Sequence, residues 1–409
     1  MEKAFEGIKV VEFTWIVLGP SMSRYLTDHG ATVVKVESHN RYDPSRGQTP
    51  FAQGKSGMNR SMHYGKYNAD KYSVSLDMKH PNGLKLIWKL IAWADILTES
   101  FTPGTMTKFG LDYESVQKVN PDIIYLSTCL QGQTGPYAQY RGFGPQVISL
   151  AGFGEITGWP GQMPLLPFGP YSDFLCPNVN ATAIIAALDY RRRTGKGQHI
   201  DQSQFETSLH YISPLILDYI VNGRLASRNG NRLPYAAPHG VYPCKGDDRW
   251  IAIGVFTDTE WESFCKSIGE PEWRKKPGFS TLPGRKENED ELDRLVAEWT
   301  INFTAEEIES NLQAAGVPVN VVEKISDLFQ DPQLKHRNYF TYLNHPEMGN
   351  CAYEPQARWI LSETPREVSM PSPCLGEHNE YVFKELLGLT DDEIAEHIID
   401  GSITTEVKE

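Results

Sequence analysis

The first forty residues constrain the fold of this chain more than any other stretch. Ile8–Phe13 is a β-rich run, Ser21–Leu26 suits a short helix stopped by Gly30, and Ala31–Glu37 is a second run of β-branched residues. Two strands joined by a helix point to a crossover connection and a parallel sheet. The alternation continues: Tyr72–Asp77, Asp95–Glu99 and Asp122–Ser127 read as further strands. After His80-Pro81-Asn82-Gly83 the apolar residues Leu84, Ile87, Leu90 and Ile91 recur at helical spacing. The first ~200 residues therefore predict a doubly wound α/β domain of Rossmann-like type.

Between these elements lie two unusual segments. Ser38–Asp70 is polar and rich in Gly, Pro, Asn and Ser, and reads as a long excursion loop. Residues 131–178 crowd glycine, proline and aromatics, as in Gly142-Phe143-Gly144-Pro145 and Gly158-Trp159-Pro160-Gly161; such a composition builds either a pocket wall or a rigid surface loop. Asn178–Arg192 reads as a helix, Thr194–Gln198 as a turn, and Phe205–Ile220 as an apolar helix broken by Pro214. After Asn222-Gly223 the texture changes. Tyr242–Ile253 reads as a hairpin with a Gly-Asp turn, Thr259–Ile268 and Asn288–Phe303 as amphipathic helices, and Thr304-Ala305-Glu306-Glu307 as a capped helix start. The expected division is a large α/β domain over 1–223, completed by 329–409, and a small α+β domain over 224–328.

Composition narrows the partners. Lys plus Arg total 39 against 52 Asp plus Glu, a formal charge of −13, which argues against binding nucleic acid and leaves room only for a local cationic cluster on a small anion. The six cysteines are scattered, without C-x-x-C or Cys/His ligand spacing, and read as free thiols of a reducing cytoplasm; no metal site is expected. The start, Met1-Glu2-Lys3-Ala4-Phe5-Glu6, lacks a signal peptide's basic region, and the apolar run at Ala181–Leu188 is too short to span a membrane. A cytoplasmic location is expected.

The first βα turn, Trp15-Ile16-Val17-Leu18-Gly19-Pro20, lacks G-x-G-x-x-G, so a nicotinamide site is not expected and Glu37 reads as a solvated strand-end residue. Gly54-Lys55-Ser56 resembles the end of a P-loop, but Thr49 stands where the first glycine belongs. No G-x-S-x-G or H-E-x-x-H occurs, and His199 and His378 read as structural or exposed. Asp173 is the only carboxylate between Glu155 and Asp189, in an apolar, aromatic setting before a helix. Two readings stay open: a helix-start carboxylate bonding backbone N–H groups, or a partly desolvated nucleophile or base.

An ordered set of short motifs joins these elements. It comprises Gly7–Phe13, Gly19-Pro20, Gly30–Glu37, Asn68 and Lys71, Ser73–Lys79, Phe101–Gly104, Phe109-Gly110-Leu111, Asn120-Pro121, Thr194–Gln198 and Leu375–Asn379. In that combination the chain resembles the family III CoA-transferases, the group of formyl-CoA and carnitine CoA-transferases, from end to end. The resemblance implies an interlocked homodimer of open rings. It also implies that Asp173 is the nucleophile that carries CoA as an aspartyl thioester between an acyl-CoA and a carboxylic acid, with coenzyme A a substrate and no permanently bound cofactor. By family position Val17 and Leu18 flank the thioester end; Leu76, Lys79, Ser100, Phe101 and Thr102 line the nucleotide groove with Lys108 near the phosphates; and Arg141 and Phe143 lie near the pantetheine.

Departures from the family pattern refine the expectation. Val17 stands where oxalate-using members carry glutamine, Phe143-Gly144 replaces a Tyr-Glu pair, and Ser38 replaces an arginine whose part falls to Arg41 or Arg46. With Trp15, Trp159, Phe168 and Tyr171 the acyl pocket is expected to be large and apolar. That suits a bulky or aromatic acceptor acid, with succinyl-CoA or a product-like acyl-CoA as donor. Two alternatives share the fold. An α-methylacyl-CoA racemase needs two flanking bases, but Arg141–Pro145 has no histidine and Ile253–Thr257 no acid. A non-catalytic subunit of a heteromer is disfavoured by retention of Asp173.

Overall fold

The computed structural model describes residues 2–405. The chain forms two compact units. One takes in the chain up to Gly154, Leu166–Leu225 and the described residues from Asn338 onward; the other takes in Glu155–Leu165 and Ala226–Arg337.

The first unit is built on six parallel strands. In chain order its elements begin β1 (Lys9–Phe13), α1 (Leu18–Thr27), β2 (Thr32–Glu37), α2 (Met62–Asn68), β3 (Tyr72–Ser75), α3 (Pro81–Trp93) and β4 (Ile96–Glu99). They continue α4 (Thr105–Lys108), α5 (Tyr113–Val119), β5 (Ile124–Cys129), α6 (Gly144–Leu150), α7 (Phe153–Ile156), α8 (Tyr171–Thr194), β6 (Gln198–Ser203), α9 (Gln204–Tyr211) and α10 (Ser213–Asn222). The sheet order is β3-β2-β1-β4-β5-β6, so the winding reverses between β1 and β4. Alternate residues explain the layers. Val10, Val33 and Ile96 face Met22 and Leu26 of α1 and Ile184 of α8, while Val11, Val34 and Leu97 face Leu86, Ile87 and Leu90 of α3. Both faces are covered, which is why the strands read as continuous apolar runs.

Helix α8 starts at Tyr171, a full two turns before the Asn178 expected from sequence, and runs through Pro177. A proline in the early part of a helix removes one hydrogen bond, here the one that would reach the carbonyl of Asp173 four residues back. Strand β6 follows Gly197 directly, where a Cβ would meet the Ile123 carbonyl at 2.0 Å. It lay hidden because His199–Ser203 is polar: as an edge strand it needs only one buried partner, β5.

The second unit contains β7 (His239–Pro243) and β8 (Trp250–Gly254), α11 (Asp258–Ser267), α12 (Leu282–Glu287), α13 (Glu289–Thr300), α14 (Ala305–Ala314), β9 (Val319–Val321), α15 (Ile325–Leu328) and α16 (Pro332–His336). Its antiparallel sheet, in order β7-β8-β9, packs Tyr242, Ile251 and Ile253 against Trp261, Phe264, Val296 and Leu312. Residues 155–165 pack here, because Gly230 N–H donates to the Gly158 carbonyl at 2.8 Å and the Trp159 ring fills the space a Cβ on Gly230 would need.

The chain then returns to the first unit through the hairpin β10 (Thr341–His345) and β11 (Gly349–Tyr353) and ends in α17 (Asp391–Ile399). The Leu375–Asn379 motif acquires a physical reason here. It covers the open edge of β3: Ser73 N–H donates to His378 Nδ1 at 3.2 Å, His378 N–H to the Ser73 carbonyl at 3.0 Å, and Ser75 N–H to Asn379 Oδ1 at 2.9 Å. Thr404 N–H adds a bond to the Ser75 carbonyl at 3.0 Å. Unpaired edges invite aggregation, and this one is sealed by the chain itself.

Charged groups lie buried at the carboxyl ends of the strands. Glu12 sits opposite Lys35 in the β1–β2 register and accepts from Lys71 Nζ at 3.0 Å; Lys35 Nζ also pairs with Asp43 at 3.1 Å. Burial alone would raise the Glu12 carboxyl, but Lys71 and Lys35 outweigh it and hold it at about 2. Glu37 is likewise buried, so the expectation of a solvated strand-end residue fails. It takes Arg46 through both carboxylate oxygens at 2.9 and 2.8 Å, and against its burial that cation holds it at about 2.

Arg46→Met leaves Glu37 buried and unpaired. It is expected to lower the unfolding free energy in urea at pH 7 by about 3–5 kcal/mol, with much of the loss recovered in Glu37→Gln/Arg46→Met. Equal stability of wild type and Arg46→Met would show that the pair carries no such constraint.

Candidate active site

Ligands of doubly wound sheets sit beyond the carboxyl ends of the strands, where the winding reverses. The turn after β1, Trp15–Leu18, and the turn after β4, Ser100–Thr102, meet at that point. Trp15 N–H donates to Ser100 Oγ at 3.0 Å, and the Trp15 and Phe101 rings pack edge to face with centroids 4.9 Å apart. Glu99, buried at the end of β4, fixes the second turn by accepting Phe101 N–H at 2.8 Å. Among the described residues no cation pairs with it, and burial pushes its carboxyl up to about 7.

Two cavities share this wall of Trp15, Ser100, Phe101 and Thr102. The larger, about 830 Å³, runs over the ends of β2 and β3 and adds Leu76, Met78 and Phe109 as apolar surface. Its cations are Arg41 and Lys79; the Arg41 guanidinium lies 5.4 Å from the centre of the Trp15 ring, within cation–π range. The smaller, about 180 Å³, adds Ile16, Val17, Leu18, Leu130, Tyr140 and Phe143, and holds Asp173 and Gln204.

Asp173 lies in the first turn of α8 and is 8% exposed. Burial pushes its carboxyl up to about 7, opposed only by a hydrogen bond from Gln204. Gln204 opens α9 directly after β6. Its Oε1 accepts the Ser172 hydroxyl at 3.2 Å, which turns the amide nitrogen toward Asp173. The backbone of Gly144 comes so close that a Cβ there would stand 3.0 Å from Asp173 Oδ2 and 2.7 Å from Pro170 Cβ. Glycine is thus required by close approach, and the site has no room for a side chain at 144. Among the described residues no lysine or arginine lines this cavity. The arrangement presents an uncompensated carboxyl, fixed by an amide, to a small, partly open cavity: suited to attack on an electrophilic carbonyl.

Of the residues singled out from sequence, Val17, Leu18, Ser100, Phe101, Thr102, Phe143 and Asp173 meet on the smaller wall, and Leu76 and Lys79 join the larger. Lys108 and Arg141 are exposed and lie on neither wall. Arg46 is consumed by Glu37, so of the two substitute arginines only Arg41 reaches a cavity. The expected aromatic pocket is also corrected. Trp15 is on the wall, but Trp159 packs within the second unit, Phe168 is 92% exposed, and Tyr171 packs against Phe153. Gln204 was missed because β6 was missed; a strand ending at the same rim is the signal that finds it. No group of His, Cys, Asp and Glu that could hold a metal ion occurs among the described residues.

The chain matches the family model for CoA-transferase family III over residues 5–379. It is 32% identical over 395 residues to the succinyl-CoA–D-citramalate CoA-transferase of Chloroflexus aurantiacus, covering 96% of each chain. It is 30% identical over 391 residues to the succinyl-CoA–L-malate CoA-transferase beta subunit of the same organism, covering 95% of each. The crystal structure of a CAIB/BAIF family protein from Brucella suis superposes with a TM-score of 0.86 at 29% identity, over 94% of this chain and all of that one.

A raised carboxyl makes the folded state bind a proton that the unfolded chain has lost. Its ionisation therefore destabilises the fold progressively between pH 4 and 7, and fully above pH 7. Asp173→Asn is expected to melt several degrees above wild type at pH 8 and level with it near pH 4. Superimposable melting curves at both pH values would refute the burial of an uncompensated charge.

Proposed function

The chain belongs to CoA-transferase family III and is an enzyme of that class, and from that premise we propose that it moves CoA from succinyl-CoA to a bulky or aromatic carboxylic acid by way of Asp173. The burial of Asp173 in a small cavity without a cation, at the end of a larger groove that suits a nucleotide, carries the reading. The donor rests on the names of the relatives above. The acceptor rests on the wall around Asp173, where Trp15, Val17, Leu18, Leu130 and Phe143 offer apolar contact.

The ionised Asp173 carboxylate attacks the thioester carbonyl; the C–S bond breaks, and CoA leaves as a thiolate from a mixed anhydride. The thiolate attacks the aspartyl carbonyl of that anhydride, the C–O bond breaks, and succinate departs from an aspartyl-CoA thioester. The acceptor carboxylate then attacks this thioester, expelling the thiolate again. Attack of the thiolate on the acceptor's acyl carbon forms the new acyl-CoA and restores Asp173. No proton is gained or lost overall, so an anhydride and a thioester of similar reactivity conserve the acyl energy. Gln204 holds the carboxylate in place, and the apolar side chains around it limit the access of water to both intermediates. In the larger groove Leu76, Met78, Phe101 and Phe109 take the base, and Arg41 and Lys79, with Lys108 beyond them, face the phosphates. Arg141, off both walls, is assigned by family position to the pantetheine end.

Helix α10 supports self-association. It carries Leu217, Tyr219, Ile220 and Val221 exposed and has no buried residue, more contiguous apolar surface than a solitary chain presents. A second copy covers it in the interlocked homodimer; the relative named as a beta subunit makes a heteromer the competing assembly.

Incubation with succinyl-CoA is expected to add a CoA-sized mass to the protein, mapped to Asp173 after hydroxylamine trapping and lost in Asp173→Asn, with kcat lowered about 10⁴-fold or more. The rate of the first half-reaction should rise with pH through about 7, as the carboxyl ionises. Absence of any adduct, with deuterium wash-in at the acyl α-carbon instead, would replace transfer by isomerisation. In a panel of acceptors an aryl acid should outpace L-malate and D-citramalate; the reverse order would overturn the acceptor while leaving the mechanism. Native mass of the purified chain alone should be that of a dimer, and a monomer that assembles only with a second polypeptide would replace the homodimer.

A further inference from the structure

We infer that Asp43 is a positioning residue of the transfer reaction, acting through a left-handed turn at Ile16; this rests on the reading of Asp173 given above. Ile16 has a φ of +66°. A β-branched residue adopts that conformation only when its surroundings impose it, and such residues gather at functional sites. Ile16, Val17 and Leu18 form one side of the cavity that holds Asp173. Val17 is also the N-cap of α1, with no side chain capping the helix, so the first N–H groups of α1 lie at this wall without a side-chain cap.

Asp43 supplies the constraint. It lies in the polar excursion after β2 and is fully buried. Both of its carboxylate oxygens accept the Ile16 N–H, at 3.0 and 3.1 Å. The same carboxylate accepts Ser45 N–H at 2.9 Å and the Ser45 hydroxyl at 2.7 Å, and it pairs with Lys35 at 3.1 Å. Lys35 in turn donates to the Thr14 carbonyl at 2.6 Å. Trp15 N–H, between them, is taken by Ser100. Thr14 and the first two residues of the turn, Trp15 and Ile16, are therefore gripped from outside it, Thr14 and Ile16 by one buried ion pair. The grip fixes where the cavity wall stands relative to Asp173, and an ångström of displacement at a reacting centre is enough to cost a large part of the rate.

Asp43 could instead serve only to balance Lys35, and three variants separate the two roles. Asp43→Ala is expected to lower kcat for CoA transfer about 10–100-fold while leaving KM for the acyl-CoA within about threefold, because the larger groove meets this turn only at Trp15, which Ser100 holds independently of Asp43. Adding Ile16→Gly should restore about tenfold of that loss, since glycine takes the left-handed conformation without help. A residue needed only for charge balance would not be rescued in this way. Asp43→Asn, which keeps an oxygen for the Ile16 N–H, should retain at least about a third of kcat, and it decides the matter if Asp43→Ala does not fold. Hydrogen exchange gives a readout independent of turnover: the amides of Ile16–Gly19 should exchange at least about tenfold faster in Asp43→Ala, while those of Met22–Thr27 do not change. Wild-type kcat in Asp43→Ala, unchanged exchange at Ile16–Gly19, or no recovery on adding Ile16→Gly would each overturn the inference. Faster exchange there in a protein whose wild type transfers no CoA would overturn the transferase reading and leave the turn's constraint standing.

Discussion

Everything in the first unit depends on charges placed where a sheet normally buries only hydrocarbon. Glu12 and Glu37 end adjacent strands, and each meets a buried cation: Lys35 and Lys71 for the first, Arg46 for the second. Such pairs add little net stability, because desolvating both partners offsets most of their attraction. Their effect is on uniqueness. Leaving Glu12 or Glu37 without its cation would bury an uncompensated charge, a cost that disfavours other registers of β1, β2 and the loop from Ser38 to Asp70. The loop is long and polar because it must bring Asp43 to Lys35 and Arg46 to Glu37, and it ends where Lys71 meets Glu12.

Asp173 is treated in the opposite way. A cation beside it would favour ionisation but would also withdraw its electron pair and weaken it in the nucleophilic role proposed above. The fold instead surrounds it with Trp15, Leu130, Phe143 and the bare backbone of Gly144, and offers one neutral amide. Two carboxylates in one domain, each almost fully buried, thus titrate near opposite ends of their range: Glu12 at about 2 and Asp173 at about 7. The difference lies wholly in which side chains the neighbouring elements present.

The parallel sheet was legible because strands buried on both faces are forced to be apolar along their length, as Val10-Val11 and Val33-Val34 are. What stayed hidden was polar for a reason the local pattern does not carry. His199–Ser203 is an edge strand, Glu37 is buried only because Arg46 reaches it from nine residues on, and α8 begins before a proline that ordinarily marks a boundary. The position of Asp173 could be found from its isolation among apolar residues and from resemblance; its partner Gln204 could not, because it depends on β6. Likewise Trp159, Phe168 and Tyr171 shared a composition with Trp15 but not a location, since residues 155–165 fold with the second unit.

The sealing of β3 has a consequence for how the molecule is made. Ser75 and Thr404, which meet at the sheet edge, stand 329 positions apart, and Leu76 pairs with Ile403 beside them. A ribosome therefore releases β1 to β6 long before the residues that close their outer strand exist. During that interval the nascent sheet presents a bare row of amides and carbonyls, and contacts so distant in sequence form slowly. The strap from Leu375 onward is thus a late lock on a sheet whose strands are made long before it, and the intermediate that precedes it is the species a chaperone has reason to hold.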